Sequence, residues 1–149
     1  GRVFLEKQEV TSDIRTEQAG NDASKVAAIL EVRAALLQRQ RDFREFPGLV
    51  ADGRDMGTTV FPEAPVKIFL TASPEIRAER RYKQLKEKGL DVNLSSLVSE
   101  IAERDERDRN RSASPLKPAS DAVVVDTSEL GIDDVFQQIM AIVEERLEV

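Results

Sequence analysis

Apolar residues follow two periods along this chain. Val26, Ile29, Leu30, Val32, Leu36, Leu37 and Phe43 fall near a 3.6-residue repeat. They predict a long helix from Lys25 to Phe46, as one piece or as two with a break near Leu30. Pro47-Gly48 stops it. Upstream, Val3-Phe4-Leu5 predicts a short strand followed by a polar turn and a second short strand. Thr11-Ser12-Asp13 reads as a turn or cap, and Asn21-Asp22-Ala23-Ser24 as a helix start. Downstream, Leu49-Val50-Ala51, Val66 to Leu70 and Ala122 to Val125 are compact apolar runs bounded by turn residues, the signature of buried strands. Between them lie a helix from Glu75 to Lys88, opened by Ser73-Pro74 and closed by Gly89, and a helix from Leu94 to about Asn110, capped by Asn93. Ser112 to Ser120 reads as a loop, and Ile132 to Leu147 as an amphipathic closing helix.

Apolar strands alternating with helices imply an α/β fold with a mostly parallel sheet covered on both faces. In such sheets ligands sit beyond the carboxyl ends of the strands. The stretch Pro47 to Thr58, PGLVADGRDMGT, places Asp52, Arg54 and Asp55 at such an end. Gly53 and Gly57 there would let the backbone turn sharply and approach a ligand. A turn with surface charges is the plainer reading; the abrupt change from apolar to charged favours a site.

Composition narrows the chemistry. The 149 residues contain no Cys and no His, which excludes thiolate catalysis, disulfides and imidazole bases. A reducing compartment is the simple inference. The net charge of −6 is unlike the basic footprint of a nucleic-acid binder. No apolar run approaches a membrane span. Chemistry must rest on Arg, Lys, Asp, Glu, hydroxyls and backbone amides.

The densest charge lies in ERDERDRNR, residues 103–111. Arg104, Asp108 and Arg111 stand at i, i+4 and i+7 on one helix face, flanked by Arg107 and Arg109. A solvated, salt-bridged helix has the same pattern; the alternative is an anion site in which Arg forks grip phosphate. The helix from Glu75 carries Arg77, Arg80, Arg81, Lys83, Lys86 and Lys88, with Arg77 and Arg81 sharing a face. It reads as a solvated helix or as a cationic flap closing over phosphates. Arg33 borders the apolar face of its helix, snorkelling or pointing into a pocket. Ser24 reads as a cap.

Taken together, ADGRDMGT at 51–58, PVKIFLTASPEIRAERR at 65–81, ERDERDRNR at 103–111 and ASKVAA…VRAALLQRQRDF at 23–43 resemble the bacterial cytidylate (CMP/dCMP) kinases, P-loop nucleoside monophosphate kinases. The likeness covers essentially the whole chain. It implies a three-layer P-loop kinase-like parallel sheet with helices on both faces and a small antiparallel NMP-binding insert. Residues 1–30 would be part of that insert, and residues 31–149 the core, with a lid at about 75–112. The implied reaction moves the ATP γ-phosphate to CMP or dCMP with Mg²⁺, in cytoplasmic pyrimidine nucleotide metabolism, by a protein monomeric at full length. By resemblance, Ser24 and Arg33 read cytosine with Asp55 near its amine, and Arg54 and Arg111 clamp the CMP phosphate. Arg104 and Asp108 meet the sugar hydroxyls, Arg77 and Arg81 lie in the lid helix approaching ATP, and Asp52 holds Mg²⁺ through water. Positioning and charge neutralisation, which these residue types supply, are what phosphoryl transfer needs.

The chain departs from the family in one respect. It contains no G-x-x-x-x-G-K-[ST], the loop that cradles ATP phosphates, which in the family lies before everything seen here. The expectation is a carboxy-terminal portion, about the last two thirds of the pattern, inactive alone. The competing readings are a non-catalytic pyrimidine-nucleotide-binding module and a kinase for UMP or AMP.

Overall fold

A computed structural model describes residues 1–87 and 89–148. Lys88, at the predicted end of one helix, lies outside the described residues. The chain opens with a minimal hairpin, β1 (Phe4–Leu5) and β2 (Gln8–Glu9), paired antiparallel as expected. A 3₁₀ turn at Asp13–Arg15 leads into α1 (Glu17–Val26). The Thr16 hydroxyl accepts from the Ala19 amide at 3.1 Å, so this helix starts well before the predicted Asn21–Ser24 cap, and those four residues lie inside it. A capping hydroxyl removes an unpaired amide from the first turn, and Thr16 satisfies that need first. α2 spans Leu30–Arg41. The predicted Lys25–Phe46 helix is therefore two pieces. The backbone is extended at Ile29, and the Ala27 carbonyl freed at the break accepts from Arg33 Nη1 at 3.2 Å.

The greater departure concerns residues 49–51. They form no strand, and Val50 is 99% exposed. Among the described residues no neighbouring strand hydrogen-bonds to them, and an apolar run without a ladder partner has nothing to hold it extended. The sheet is the parallel pair β3 (Ile68–Thr71) and β4 (Val123–Asp126), registered Ile68 with Val123 through Thr71 with Asp126. This parallel pair, with the separate antiparallel hairpin, fits the expected P-loop kinase-like α/β fold, although Leu70 and Val124 are half-exposed. α5 (Ile132–Leu147) has no buried residue, and Ile132 is 89% exposed. Among the described residues, no helix is long and apolar enough to cross a membrane.

The core lies between α3 (Pro74–Glu87) and α4 (Leu94–Asn110). Ser73 and Asn93 cap them as expected, their side chains accepting from the amides of Ile76 and Ser96 at 3.2 and 3.1 Å. Gly89 takes the left-handed conformation, φ +73°, that a helix stop favours. Ala78 and Leu85 of α3 bury against Leu97 of α4, with Tyr82, Val92, Val98 and Ile101 around them. Along α4 the inward stripe runs Leu97, Ile101, Asp105, Asp108, at spacings of four, four and three. Its first half is apolar and its second half acidic. Asp105 and Asp108 are buried, 4% and 1% exposed. At the polar end Arg77 of α3 grips Asp105 with both fork nitrogens.

Deleting a buried leucine side chain removes its transfer free energy and leaves a cavity. Leu97→Ala is expected to cost about 3 kcal/mol in urea unfolding. Acid acts at the other end of the interface. Burial raises the Asp105 carboxyl, but the hydrogen bond and charge of Arg77, helped by Arg54 and Arg109, outweigh it. They hold the group below the ordinary aspartate value of 3.8. A lowered carboxylate contributes stability that is present above its unfolded value and lost as pH falls through the folded one. Urea midpoints measured on acidification should fall below pH 3.8, and Asp105→Asn should flatten that acid limb, because its amide gains no proton.

Candidate functional site

The buried acids of α4 gather arginines from three parts of the chain. Arg54 follows Gly53 and precedes a single π-helical turn, Met56–Val60. There the amides of Val60 and Phe61 reach the carbonyls five residues back, Asp55 and Met56, at 3.3 and 2.7 Å. Such turns recur where a backbone aims side chains at a site. Arg54 Nη1 bonds Asp108 Oδ2 and lies 3.3 Å from Asp105 Oδ1, bridging both acids. Arg77 comes from α3. From α4 itself, Arg104 Nε lies 4.0 Å from Asp108 and Arg109 lies 3.8 Å from Asp105. Arg111 Nη1 lies 3.4 Å from Asp108, while its Nε donates to the Ser114 carbonyl at 2.7 Å. Five guanidiniums thus surround two carboxylates. This leaves three uncompensated positive charges on a chain whose net charge is −6, the local field an anion needs.

Arg104 shows the deficit most directly. Its Nε is buried with no hydrogen-bond partner. A buried donor left unmatched costs free energy that a ligand oxygen can recover. Burial, with Arg54 close by, also lowers the affinity of the Arg104 guanidinium for its proton, against the opposing pull of Asp108, Glu17 and Asp105. The side chain lies against α1 at Gly20, where a Cβ would come 2.8 Å from Arg104 Nη1.

Two further groups adjoin this centre. Ser24, buried on α1, donates to Asp108 Oδ1 at 2.7 Å and accepts from Arg107 Nη1 at 3.2 Å. It is not the helix cap that its sequence context suggests. Arg33 donates to buried Asp55. Among the residues singled out from sequence, Ser24, Arg54, Arg104, Asp108 and Arg111 come together around one carboxylate, and Arg33 pairs with Asp55 beside the π turn. Arg77 joins through Asp105. Arg81 pairs outside the two acids: its Nε reaches Glu17 at 3.1 Å and its Nη2 donates to the Arg15 carbonyl at 2.5 Å. Asp52 is exposed.

Gly53 and Gly57 differ from expectation, since neither has a positive φ. They make room instead: a Cβ at Gly53 would sit 2.9 Å from the Met56 side chain, and one at Gly57 3.3 Å from that of Lys67. Sequence reasoning missed Asp105, Arg107 as the partner of Ser24, and Glu17 as the partner of Arg81. The signal for Asp105 was present, since it continues the inward stripe of Leu97 and Ile101. Burial of both acids also rules out the solvated-helix reading of residues 103–111.

The comparisons with known proteins run the length of this arrangement. A family model described as cytidylate kinase matches residues 1–145. The chain is 61% identical over 146 residues to a cytidylate kinase of Aeromonas hydrophila, covering 98% of this chain and 64% of that one. It is 64% identical over 139 residues to one of Nitrosococcus oceani, covering 93% and 61%. Against one of Shewanella frigidimarina it is 60% identical over 148 residues, covering 99% and 65%. The chain therefore spans less than two thirds of the length of these relatives. Every element that carries the arginine and aspartate cluster falls within the matched residues, and the chain belongs to the cytidylate kinase family.

Proposed function

We propose that these residues form the CMP-binding half of an enzyme that transfers the ATP γ-phosphate to CMP or dCMP. The unmatched Nε of Arg104, one of five arginines around two buried acids, carries this reading. In it, residues 1–30 belong to the NMP-binding insert and residues 31–149 to the kinase core, with the lid at about 75–112. Arg54 and Arg111 take the CMP phosphate, where forked, permanently charged donors suit its oxygens. Arg104 and Asp108 take the sugar hydroxyls. Ser24, Arg33 and Asp55 take the cytosine edge, whose amine calls for an acceptor and whose ring oxygen and nitrogen call for donors. α3, with Arg77 and Arg81, is the lid helix on the ATP side.

The two acids hold the arginines in place. Binding then adds phosphate oxygens at the guanidinium nitrogens that the carboxylates leave free, and Asp108 turns from Ser24 to a hydroxyl. Bringing the reactants together while water is excluded supplies the catalysis, since no side chain here serves as a nucleophile.

Mg²⁺ with ATP fits the donors present. Mg²⁺ keeps several waters and takes one or two carboxylates plus substrate phosphates. Asp52 is an exposed acid of that kind, and no cluster of three ligating side chains occurs among the described residues. When bound, the ion would neutralise charge on the transferring phosphoryl group.

Titration of CMP, dCMP, UMP and AMP into the intact gene product tests the substrate. CMP and dCMP should bind most tightly, and Asp55→Ala should weaken CMP by about tenfold while leaving UMP nearly unchanged. Equal losses for both would overturn the assignment of Asp55, and preference for UMP or AMP would overturn the substrate. The 149 residues alone, lacking a glycine-rich lysine loop, should show no CMP-dependent ATP turnover in a coupled assay. Turnover by this chain would refute the division of labour proposed here.

A further inference from the structure

We propose that Asp105 is a positioning residue that aims Arg54 at the nucleotide phosphate, with Arg77 as its buttress. The inference rests on the proposed function and adds to it a residue that touches no substrate. Asp105 is buried, 4% exposed, and its oxygens are already taken. Oδ1 accepts from Arg54 at 3.3 Å and from Arg77 at 3.1 Å, and Oδ2 accepts from the second fork nitrogen of Arg77 and faces Arg109 at 3.8 Å. Three of its roughly four acceptor sites are thus filled by arginine donors, and Arg109 stands over the remaining one.

Arg77 is fixed in turn. Its Nε donates to the Ala72 carbonyl at 3.1 Å, at the end of β3. With both fork nitrogens on Asp105, all three of its nitrogens face protein, so it ties the sheet edge to α4. Arg54 is held differently. Only its Nη1 is engaged, by Asp105 and Asp108 together, and among the described residues Nη2 and Nε make no hydrogen bond. One corner of the guanidinium is pinned by two acids, and the opposite edge stays free for an anion. The chain of contacts runs from the Ala72 carbonyl through Arg77 and Asp105 to Arg54. A clamp held this way gives only Nη1 to its support and keeps Nη2 and Nε for the ligand, and a rigid clamp binds with less ordering cost than a mobile one.

The test compares the intact gene product with Asp105→Asn, Arg54→Gln and the double variant in steady-state CMP phosphorylation. Asp105→Asn is expected to raise KM for CMP about tenfold while KM for ATP changes less than about twofold. In an Arg54→Gln background it should raise KM for CMP no further, because the clamp it aims is gone. A merely structural role would lower the active fraction and leave KM for CMP unaltered. An unchanged KM, or full additivity with Arg54→Gln, overturns the proposal. Should Asp105→Asn fail to fold, Arg77→Lys provides the same reading: it keeps the charge, loses the fork and should raise KM for CMP in the same direction, and an unchanged KM there overturns the proposal too. A parent protein that saturates with CMP while the variants do not differ sinks only this inference. A parent protein with no CMP-dependent turnover sinks it together with the function on which it rests.

Discussion

A fully buried carboxylate, Asp108, is the constraint around which the molecule is arranged. An ionised acid taken out of water costs several kcal/mol unless it is paired and hydrogen-bonded. Asp108 meets that demand with donors from three separated stretches, Ser24 from α1, Arg54 from the segment before the π turn and Arg111 from the end of its own helix, and with the charge of Arg104 at 4.0 Å. None of these stretches packs a large apolar surface onto another. Electrostatic demand holds them together, and the excess of arginines it gathers is the same excess that suits a phosphate. Structure and site are thus one interaction seen from two sides.

Much of this was legible in the sequence, for reasons that differ by element. α4 and its cap at Asn93 were readable because apolar spacing and capping chemistry agreed. α5 was readable from its stripe alone. The i, i+4, i+7 relation of Arg104, Asp108 and Arg111 located the cluster on one face. What the spacing could not say was which way that face pointed. A charged helix face normally meets solvent, and only the continuity of Leu97, Ile101, Asp105 and Asp108 on one stripe indicates that it turns inward. α1 was misread because Thr16 and the Asn21–Ser24 run compete as caps, and local chemistry does not rank them. Residues 49–51 were misread because an apolar run becomes a strand only when another strand is there to pair with it.

The exposed apolar surface follows the same logic. Val50, Leu70, Val124, Ile132 and Phe136 are all more than half exposed, far from the pattern of a finished α/β core. They lie on the segment at 49–51, the two sheet strands and α5. The α3–α4 pair, by contrast, buries its own residues and carries its own ion pairs. The part of the molecule with a closed core is therefore the part that brings the site's acids and the Arg77 buttress together.

α1 is fastened near both ends. At its start Glu17 holds Arg81 of α3, and near its finish Ser24 holds Asp108 of α4. A rod anchored twice to the same helical hairpin travels with that hairpin as a passenger. The chain passes from that unit to α2 through the three residues Ala27 to Ile29, where the helical ladder is interrupted and Arg33 spans the gap to the Ala27 carbonyl. That short joint, braced by a guanidinium, sets how α2 meets the rest of the molecule.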